Sequence, residues 1–315
     1  MIISTLDLEQ PYRERLQSAA AGRPVLHASL KELRDEQLAQ AEILLTYGYD
    51  IPEATLRKMK ALRWIHIGQS GMDRIPMGVL DEMGIALTNS RGINAVAISE
   101  YVLSMMLNIV RKNYEFYQAQ KEKRWDVETH LDELYGKTIG ILGLGKVGGE
   151  IAVRADAFGM RVLGMDIAQR PVDKVSKIYL PQQCRELLEQ CDFVVVCMPL
   201  TGETRHLISR EELAAIPSRA WVINVGRGPI IQEEHLLKAL ESKEIAGAVL
   251  DVFQREPLAK DSPLWDMPNV ILTPHIAGDH LATYMPRMME ILCGNLAGYP
   301  RMDQLRNRVD TKRGF

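Results

Sequence analysis

The sequence predicts an α/β fold of two domains, the larger one a doubly wound parallel sheet. Three observations carry that expectation. A glycine-rich turn, Gly143-Leu-Gly145-Lys-Val-Gly148, lies between a short apolar run and a segment of helical spacing. Short apolar runs alternate with amphipathic ones along much of the chain, as in successive strand–helix units. The length, 315 residues, exceeds what one core ordinarily organises.

Composition narrows the function classes. Apolar residues make up 46% and charged residues 25%, the proportions of an ordinary globular protein. A formal net charge of −3 offers no bulk attraction to nucleic acid or an anionic membrane, so neither is an expected partner. An anionic small molecule must then be held by local positive groups. Cys184, Cys191, Cys197 and Cys293 show neither CxxC nor zinc-ligand spacing, which argues for reduced thiols and against a metal site. The opening Met-Ile-Ile-Ser-Thr-Leu-Asp lacks the basic and apolar regions of a signal peptide, and no stretch reaches bilayer length. A cytoplasmic protein is expected.

In chain order, residues 25–27, 42–45, 64–67 and 86–88 read as strands and 13–21, 30–40 and 53–62 as helices, the last opened by Pro52. The turn Gly68-Gln-Ser-Gly-Met-Asp73 follows the third of these strands. Small residues at Ser70 and Gly71 leave backbone N–H groups bare, which suits a carboxylate. After the polar break 89–94, residues 95–110 form a long helix, apolar nearly all round and so expected to be buried. The charged stretch 112–124 reads as solvated, as does the basic tail 301–313.

A second α/β unit opens at residue 138. The run Ile139–Leu142 reads as a buried strand, and helical spacing resumes after Gly148. In that setting Gly143 allows a tight turn, Gly145 lets a pyrophosphate approach the backbone, and Gly148 permits close helix–strand packing. The helix N-terminus offers its free N–H groups to phosphate. A second strand, 161–165, ends at Asp166, about twenty residues on, where a carboxylate can accept the ribose hydroxyls of a dinucleotide. Further strands are expected at 193–197, 220–224, 246–250 and 270–273, with helices at 210–215 and 233–242 between them and a helical run after 285. Open α/β sheets bind ligands at the carboxyl ends of their strands. There the chain places Met198-Pro-Leu-Thr201, Val225-Gly-Arg-Gly228, Asp251 and Pro274-His-Ile-Ala-Gly278.

Three of these residues suggest chemistry. Arg227, between two glycines, can present its planar fork to a carboxylate bidentately, which lysine cannot do. His275 follows a buried strand, and Glu256 lies in the turn Arg255-Glu-Pro-Leu258. Singly, each also suits a structural turn. Together, a carboxylate beside an imidazole fixes the tautomer and favours the charged ring, making a general acid.

The set Gly68-x-Ser-Gly-Met-Asp73, Gly143-x-Gly145-x-x-Gly148, Asp166, Cys197-Met-Pro-Leu-Thr201, Asn224-Val-Gly-Arg-Gly228, Asp251-Val-Phe-x-x-Glu-Pro-Leu258, Ser262-Pro-Leu-Trp265 and Thr273-Pro-His-Ile-Ala-Gly278 resembles the D-isomer-specific 2-hydroxyacid dehydrogenases over nearly the whole chain. The resemblance implies a Rossmann-type NAD domain, 95–285, inserted into a smaller flavodoxin-like substrate domain, 1–94 plus 286–315, with a hinged cleft and a homodimer built through the NAD domain.

Carried over by position, the resemblance gives Arg227 the substrate carboxylate and carbonyl, His275 the proton exchanged with the 2-oxygen, and Glu256 the task of keeping His275 protonated. It puts Gly143, Gly145, Lys146, Val147, Gly148, Asp166, Met198, Pro199, Thr204, Val225, Gly226, Asp251, Ala277 and Gly278 around NAD, with Asp251 near the nicotinamide. NADP is disfavoured because Asp166 meets a 2′-phosphate with like charge, an effect softened by Arg170. Ser70 and Gly71 offer N–H groups to the substrate, and Tyr47 and Tyr49 suit the pocket for its side chain. Thr46 and Ile67 stand where the family's phosphoglycerate enzymes carry phosphate-binding arginines, which argues against phosphoglycerate; Glu256 stands where its formate enzymes carry glutamine. Glyoxylate, hydroxypyruvate and a bulkier 2-oxoacid stay open. A competing class is the NADH-sensing corepressor that resembles the same family.

Overall fold

The computed structural model describes residues 1–49, 51–72, 74–279 and 281–312. Asp73, which ends the turn 68–73, and Arg313, which ends the basic tail, lie outside them. The chain separates into two compact units, Met1–Asn94 with His280–Phe315, and Ala95–Asp279.

The first unit holds β1 (Ile2–Ser4), α1 (Gln10–Ala19), β2 (Val25–His27), α2 (Asp35–Ala39), β3 (Ile43–Thr46), α3 (Glu53–Leu56), β4 (Trp64–Ile67), α4 (Met77–Met83) and β5 (Ala86–Asn89). Its five strands run parallel in the order β2-β1-β3-β4-β5. Three of them, β1, β3 and β4, are buried at every position, which explains their continuous apolar runs. One face packs Leu16, Met288, Leu292 and Leu296, the other Leu38, Leu56 and Leu80.

Three expectations are corrected here. The helix expected at 30–40 is interrupted: Ser29 caps a short turn at Leu30–Glu32, Leu33 is extended, and α2 starts only at Asp35. The helix expected at 53–62 stops after Leu56, and β1 lies in a stretch too short to stand out from its neighbours. The tail read as solvated is docked instead. Leu305 is buried in the first core, Arg308 bridges Thr88 antiparallel, and Val309 N–H donates to the Leu87 carbonyl (2.9 Å). The tail thus covers the open edge of β5, which would otherwise expose unpaired backbone groups.

The second unit begins with α5 (Ala95–Arg111) and α6 (Asn113–Lys121), then β6 (Thr138–Leu142), α7 (Lys146–Ala157), β7 (Arg161–Met165), β8 (Lys177–Tyr179), α8 (Cys184–Leu188) and β9 (Phe193–Val196). There follow α9 (Arg210–Ala215), β10 (Trp221–Asn224), α10 (Glu233–Glu241), β11 (Gly247–Leu250) and β12 (Val270–Leu272). After it, α11 (Leu281–Gly298) belongs to the first unit. The second sheet has seven parallel strands in the order β12-β11-β10-β9-β6-β7-β8. From β6 the chain first winds outward to β8, then returns to β9 and winds the other way. The carboxyl ends of β6 and β9 therefore form the switch point at which such sheets bind ligands.

The stretch 112–124 is exposed at most positions, as expected, and includes α6, with Ala119 buried. One more reading changes. The helix expected to be buried all round is buried on one face: Val102, Leu103, Met106 and Val110 join the core with Ile151 and Ala155 of α7, while Glu100 and Ser104 are exposed.

Candidate active site

At the switch point, three glycines do different work. Gly143 has φ +102, and a side-chain carbon there would lie 3.0 Å from the Met198 backbone. At Gly148 such a carbon would meet the Gly143 carbonyl oxygen at 2.0 Å, so the helix can approach the turn only without one. A side-chain carbon on Gly145 would meet nothing within 4 Å, so there is open space beside the start of α7, where Gly145 serves as N-cap without a side-chain bond. That combination fits a pyrophosphate.

Asp166 ends β7. Leu144 N–H of the glycine turn donates to its Oδ2 (3.0 Å) and Ile167 N–H to its Oδ1 (2.7 Å). Each oxygen keeps acceptor capacity for a ribose hydroxyl. Across the switch point Met198 is buried, Thr204 Oγ1 donates to the Pro199 carbonyl (2.7 Å), and Thr201 N–H donates to Thr204 Oγ1 (2.7 Å). Thr204 thus folds its own turn. Lys146 is exposed and Val147 half-buried at the first turn of α7, and Val225 is buried after β10. Cys197 places its sulfur 3.1 Å from the Gly143 carbonyl, and burial pushes its thiol up to about 12, so it remains a neutral packing group.

Arg227 follows β10 in extended conformation, and Asn224 builds its loop. Gly226 N–H donates to Asn224 Oδ1 (3.1 Å), and Asn224 Nδ2 donates to the Arg227 carbonyl (3.2 Å). The guanidinium Nη1 donates to the Gly226 carbonyl (2.8 Å). A side chain on Gly228 would collide with the Phe253 carbonyl at 1.9 Å. Glycine there lets the Arg227 loop lie directly against the loop that carries Glu256.

Glu256 uses one carboxylate oxygen to accept from Phe253 N–H (3.1 Å) and the other to meet His275 Nδ1 at 2.7 Å. The pair stays open to solvent, the side chains 46% and 37% exposed for His275 and Glu256. His275 itself has φ +57, a left-handed conformation costing an L-residue roughly 1–2 kcal/mol. Asp251, 1% exposed at the end of β11, holds that turn: Ile276 N–H donates to its Oδ1 and Ala277 N–H to its Oδ2, both at 2.9 Å. Thr273 Oγ1 donates to the same Oδ1 (2.6 Å), and Tyr101 Oη lies 2.6 Å from Thr273 Oγ1.

The structure therefore brings Arg227, Glu256, His275, Asp251, Ala277 and Gly278 onto adjoining loops at one edge of the second sheet, beside the glycine turn. Ser70, Gly71, Tyr47 and Tyr49 belong to the first unit, at the carboxyl ends of β3 and β4. There Ser70 Oγ donates to the Ser90 carbonyl (3.3 Å), and Tyr49 Oη donates to Gln69 Oε1 (2.6 Å). Tyr47, whose hydroxyl is made less acidic by burial and by Asp7, packs against the first core. Sequence reasoning missed Asn224 and Thr273 as individual contributors, although both stand inside the motifs quoted above. Tyr101 had no signal at all, being one apolar helix position among many. Among the described residues no helix is long and apolar enough to cross a membrane, and no three His, Cys, Asp or Glu residues cluster as metal ligands.

Residues 103–277 match the model of the D-isomer specific 2-hydroxyacid dehydrogenase NAD-binding domain. The glyoxylate/hydroxypyruvate reductase B of Klebsiella pneumoniae subsp. pneumoniae is 34% identical over 82% of this chain and 80% of its own. The D-3-phosphoglycerate dehydrogenase of Methanocaldococcus jannaschii is 34% identical over 78% of this chain, a match spanning only 47% of that longer protein. A crystal structure of the D-isomer specific 2-hydroxyacid dehydrogenase from Xanthobacter autotrophicus Py2, in complex with NADPH and MES, superimposes with a TM-score of 0.84, covering 100% of this chain and 99% of that one at 29% identity. With the glycine turn, the two sheets and the Arg227–Glu256–His275 loops already in place, the chain belongs to the D-isomer-specific 2-hydroxyacid dehydrogenases and is an oxidoreductase with an NAD(P)-binding domain.

Proposed function

We propose that the protein interconverts a small 2-oxoacid, of the glyoxylate or hydroxypyruvate type, with its D-2-hydroxyacid, using Arg227, Glu256 and His275. The 2.7 Å contact between His275 Nδ1 and Glu256 carries this reading. It commits one ring nitrogen to a carboxylate and leaves Nε2 to exchange a proton with the substrate's 2-oxygen. The bound nicotinamide cofactor supplies the hydride. Arg227 orients the substrate through its carboxylate and polarises the carbonyl, and Glu256 stabilises the protonated ring before it donates. Phosphoglycerate is disfavoured because Thr46 and Ile67, both fully buried, are neutral residues at the positions where the family's phosphoglycerate enzymes carry arginines.

For the cofactor we favour NAD over NADP, because the Asp166 carboxylate opposes a 2′-phosphate. The assembly we favour is a homodimer through the NAD-binding unit, supported by the exposed apolar side chains of Tyr114, Tyr117, Trp125, Val127, Leu131 and Tyr135. Four unpaired cysteines suit the cytoplasm. The deciding experiment is turnover of a panel of 2-oxoacids with NADH and NADPH. No turnover of any of them, with NADH bound at micromolar affinity, would establish the corepressor-like alternative. A dominant preference for 3-phosphohydroxypyruvate would replace the small-oxoacid reading, and sedimentation as a monomer at micromolar concentration would remove the dimer.

A further inference from the structure

We propose that Thr273 and Tyr101 are positioning residues for proton transfer, acting through Asp251 to hold the left-handed turn on which His275 stands. The inference rests on the reading of His275 as the acid–base group and adds a mechanism for keeping it in place.

The hydrogen bonds allow one consistent assignment of protons. An ionised carboxylate only accepts, so Asp251 Oδ1 takes the Thr273 hydroxyl proton at 2.6 Å and the Ile276 N–H at 2.9 Å. Thr273 has then spent its single proton and must accept at the 2.6 Å contact, which makes the Tyr101 hydroxyl the donor. Burial, reinforced by the charge of Asp251, pushes the tyrosine up to about 12, so it keeps that proton throughout the working pH range. The chain runs from helix α5, through the end of β12, to a carboxylate that is 1% exposed.

A buried carboxylate is costly unless all its acceptor sites are used. Here its partners are two successive backbone N–H groups directly after His275 and one hydroxyl two residues before it. These bracket the one residue of the turn with positive φ, His275 at +57. Glu256 orients the ring but does not fix the backbone beneath it. Asp251 does that, and Thr273 with Tyr101 completes the coordination that keeps Asp251 in its place. Loss of the threonine hydroxyl leaves a buried charge short of a donor and lets the turn relax toward an ordinary conformation. A displacement of about 1 Å at an acid–base group costs on the order of a hundredfold in rate.

Thr273→Val is nearly isosteric and removes the hydroxyl; Thr273→Ser keeps the hydroxyl and removes a methyl. Steady-state reduction of glyoxylate by NADH, with His275→Gln as a reference, should show Thr273→Val losing on the order of 10–100-fold in kcat, with both KM values within about threefold of wild type. Thr273→Ser should stay within about threefold of wild type, and Tyr101→Phe should fall between them. In the cofactor-free protein, hydrogen exchange at the Ile276 and Ala277 amides should be faster in Thr273→Val than in Thr273→Ser. Wild-type kcat in Thr273→Val, or a loss shared equally by Thr273→Ser, would overturn the proposal while leaving an inactive His275→Gln, and so the acid–base reading, intact. Full activity in His275→Gln would overturn both.

Discussion

Two histidines sit near the carboxyl edges of the two parallel sheets, and their surroundings give them opposite capacities. His275 stands on a turn open to solvent with a carboxylate 2.7 Å from its Nδ1. His66, in β4, is fully buried and faces only neutral groups: Thr88 Oγ1 at 2.8 Å from Nδ1 and Ser90 Oγ at 3.3 Å from Nε2. Trp64 Nε1 donates to the same Thr88 oxygen (2.8 Å), so Thr88 can give its one proton to Nδ1, leaving Nε2–H to donate to Ser90. Burial holds the His66 ring at about 3, and it stays neutral at any ordinary pH. On the proposed reading of His275 as the acid–base group, what separates it from His66 is a carboxylate partner and access to water.

The largest effect expected from this contrast is loss of the exposed pair. His275→Ala should lower kcat for 2-oxoacid reduction on the order of 10²–10⁴-fold, whereas His66→Gln should change it by about threefold or less. Glu256→Gln keeps a hydrogen-bonding group without the charge and should cost less than His275→Ala. Equal losses in the His66 and His275 variants would erase the distinction.

Arg227 comes next. Arg227→Lys preserves charge but not the fork, and on the order of a hundredfold loss in kcat/KM is expected for an acid substrate. A 2-oxoester, which lacks the carboxylate, should lose far less between wild type and variant. An equal loss with both substrates would show that Arg227 does not read the carboxylate.

The two histidines also mark what could be read from the sequence. His275, Glu256 and Arg227 stand in short motifs at strand ends, where local pattern and chemistry coincide. The glycine turn was legible for the same reason, since Gly143 and Gly148 each answer a backbone requirement of the turn. The strand containing His66 was legible, but its network was not: it joins residues 22 and 24 positions apart across β4 and β5. Tyr101 and Thr273 are 172 apart, beyond the reach of any periodicity. The short strands β1 and β8 and the interrupted helix at 30–40 were lost because their order comes from neighbours in the sheet. The docking of the tail on β5 depends on Asn307, whose Nδ2 donates to the Asn89 and Arg91 carbonyls at 3.2 and 2.8 Å. Nothing in a run of basic residues announces that contact.

A stability measurement sharpens the comparison from the other side. Folding lowers the affinity of His66 for protons, from an ordinary 6.5 to about 3. Below pH 6.5 the unfolded chain takes up a proton that the folded chain refuses. Stability therefore falls as the pH drops through the window from 6.5 to 3, and the contribution is fully present above it. By pH 4.5 the penalty from this residue should reach about 2–3 kcal/mol. His66→Gln should be less stable than wild type at pH 7 but lose correspondingly less on acidification. Urea midpoints at pH 7 and 4.5 would test this, and parallel losses in the two proteins would show that His66 does not titrate in this way.

The smallest expected effect concerns Asp166, where charge and architecture must be separated. Its oxygens accept from Leu144 N–H and Ile167 N–H, so Asp166→Ala removes both the charge that should repel a 2′-phosphate and an anchor of the glycine turn. Asp166→Asn keeps a carbonyl oxygen for the turn and discards only the charge. If the carboxylate discriminates by charge, the ratio of kcat/KM for NADH over NADPH should narrow by about tenfold in both variants, in line with the loss of one like-charge contact near the surface. The variants should differ in how it narrows. In Asp166→Asn most of the change should be a gain with NADPH, because the turn is still held. In Asp166→Ala it should be mostly a loss with NADH, because the turn that meets the pyrophosphate is loosened for either cofactor. Exposed Arg170 tempers the repulsion, so Arg170→Ala in the wild-type background should widen the ratio by about threefold. A ratio unmoved by Asp166→Asn would mean that the carboxylate organises the turn and takes no part in choosing the cofactor.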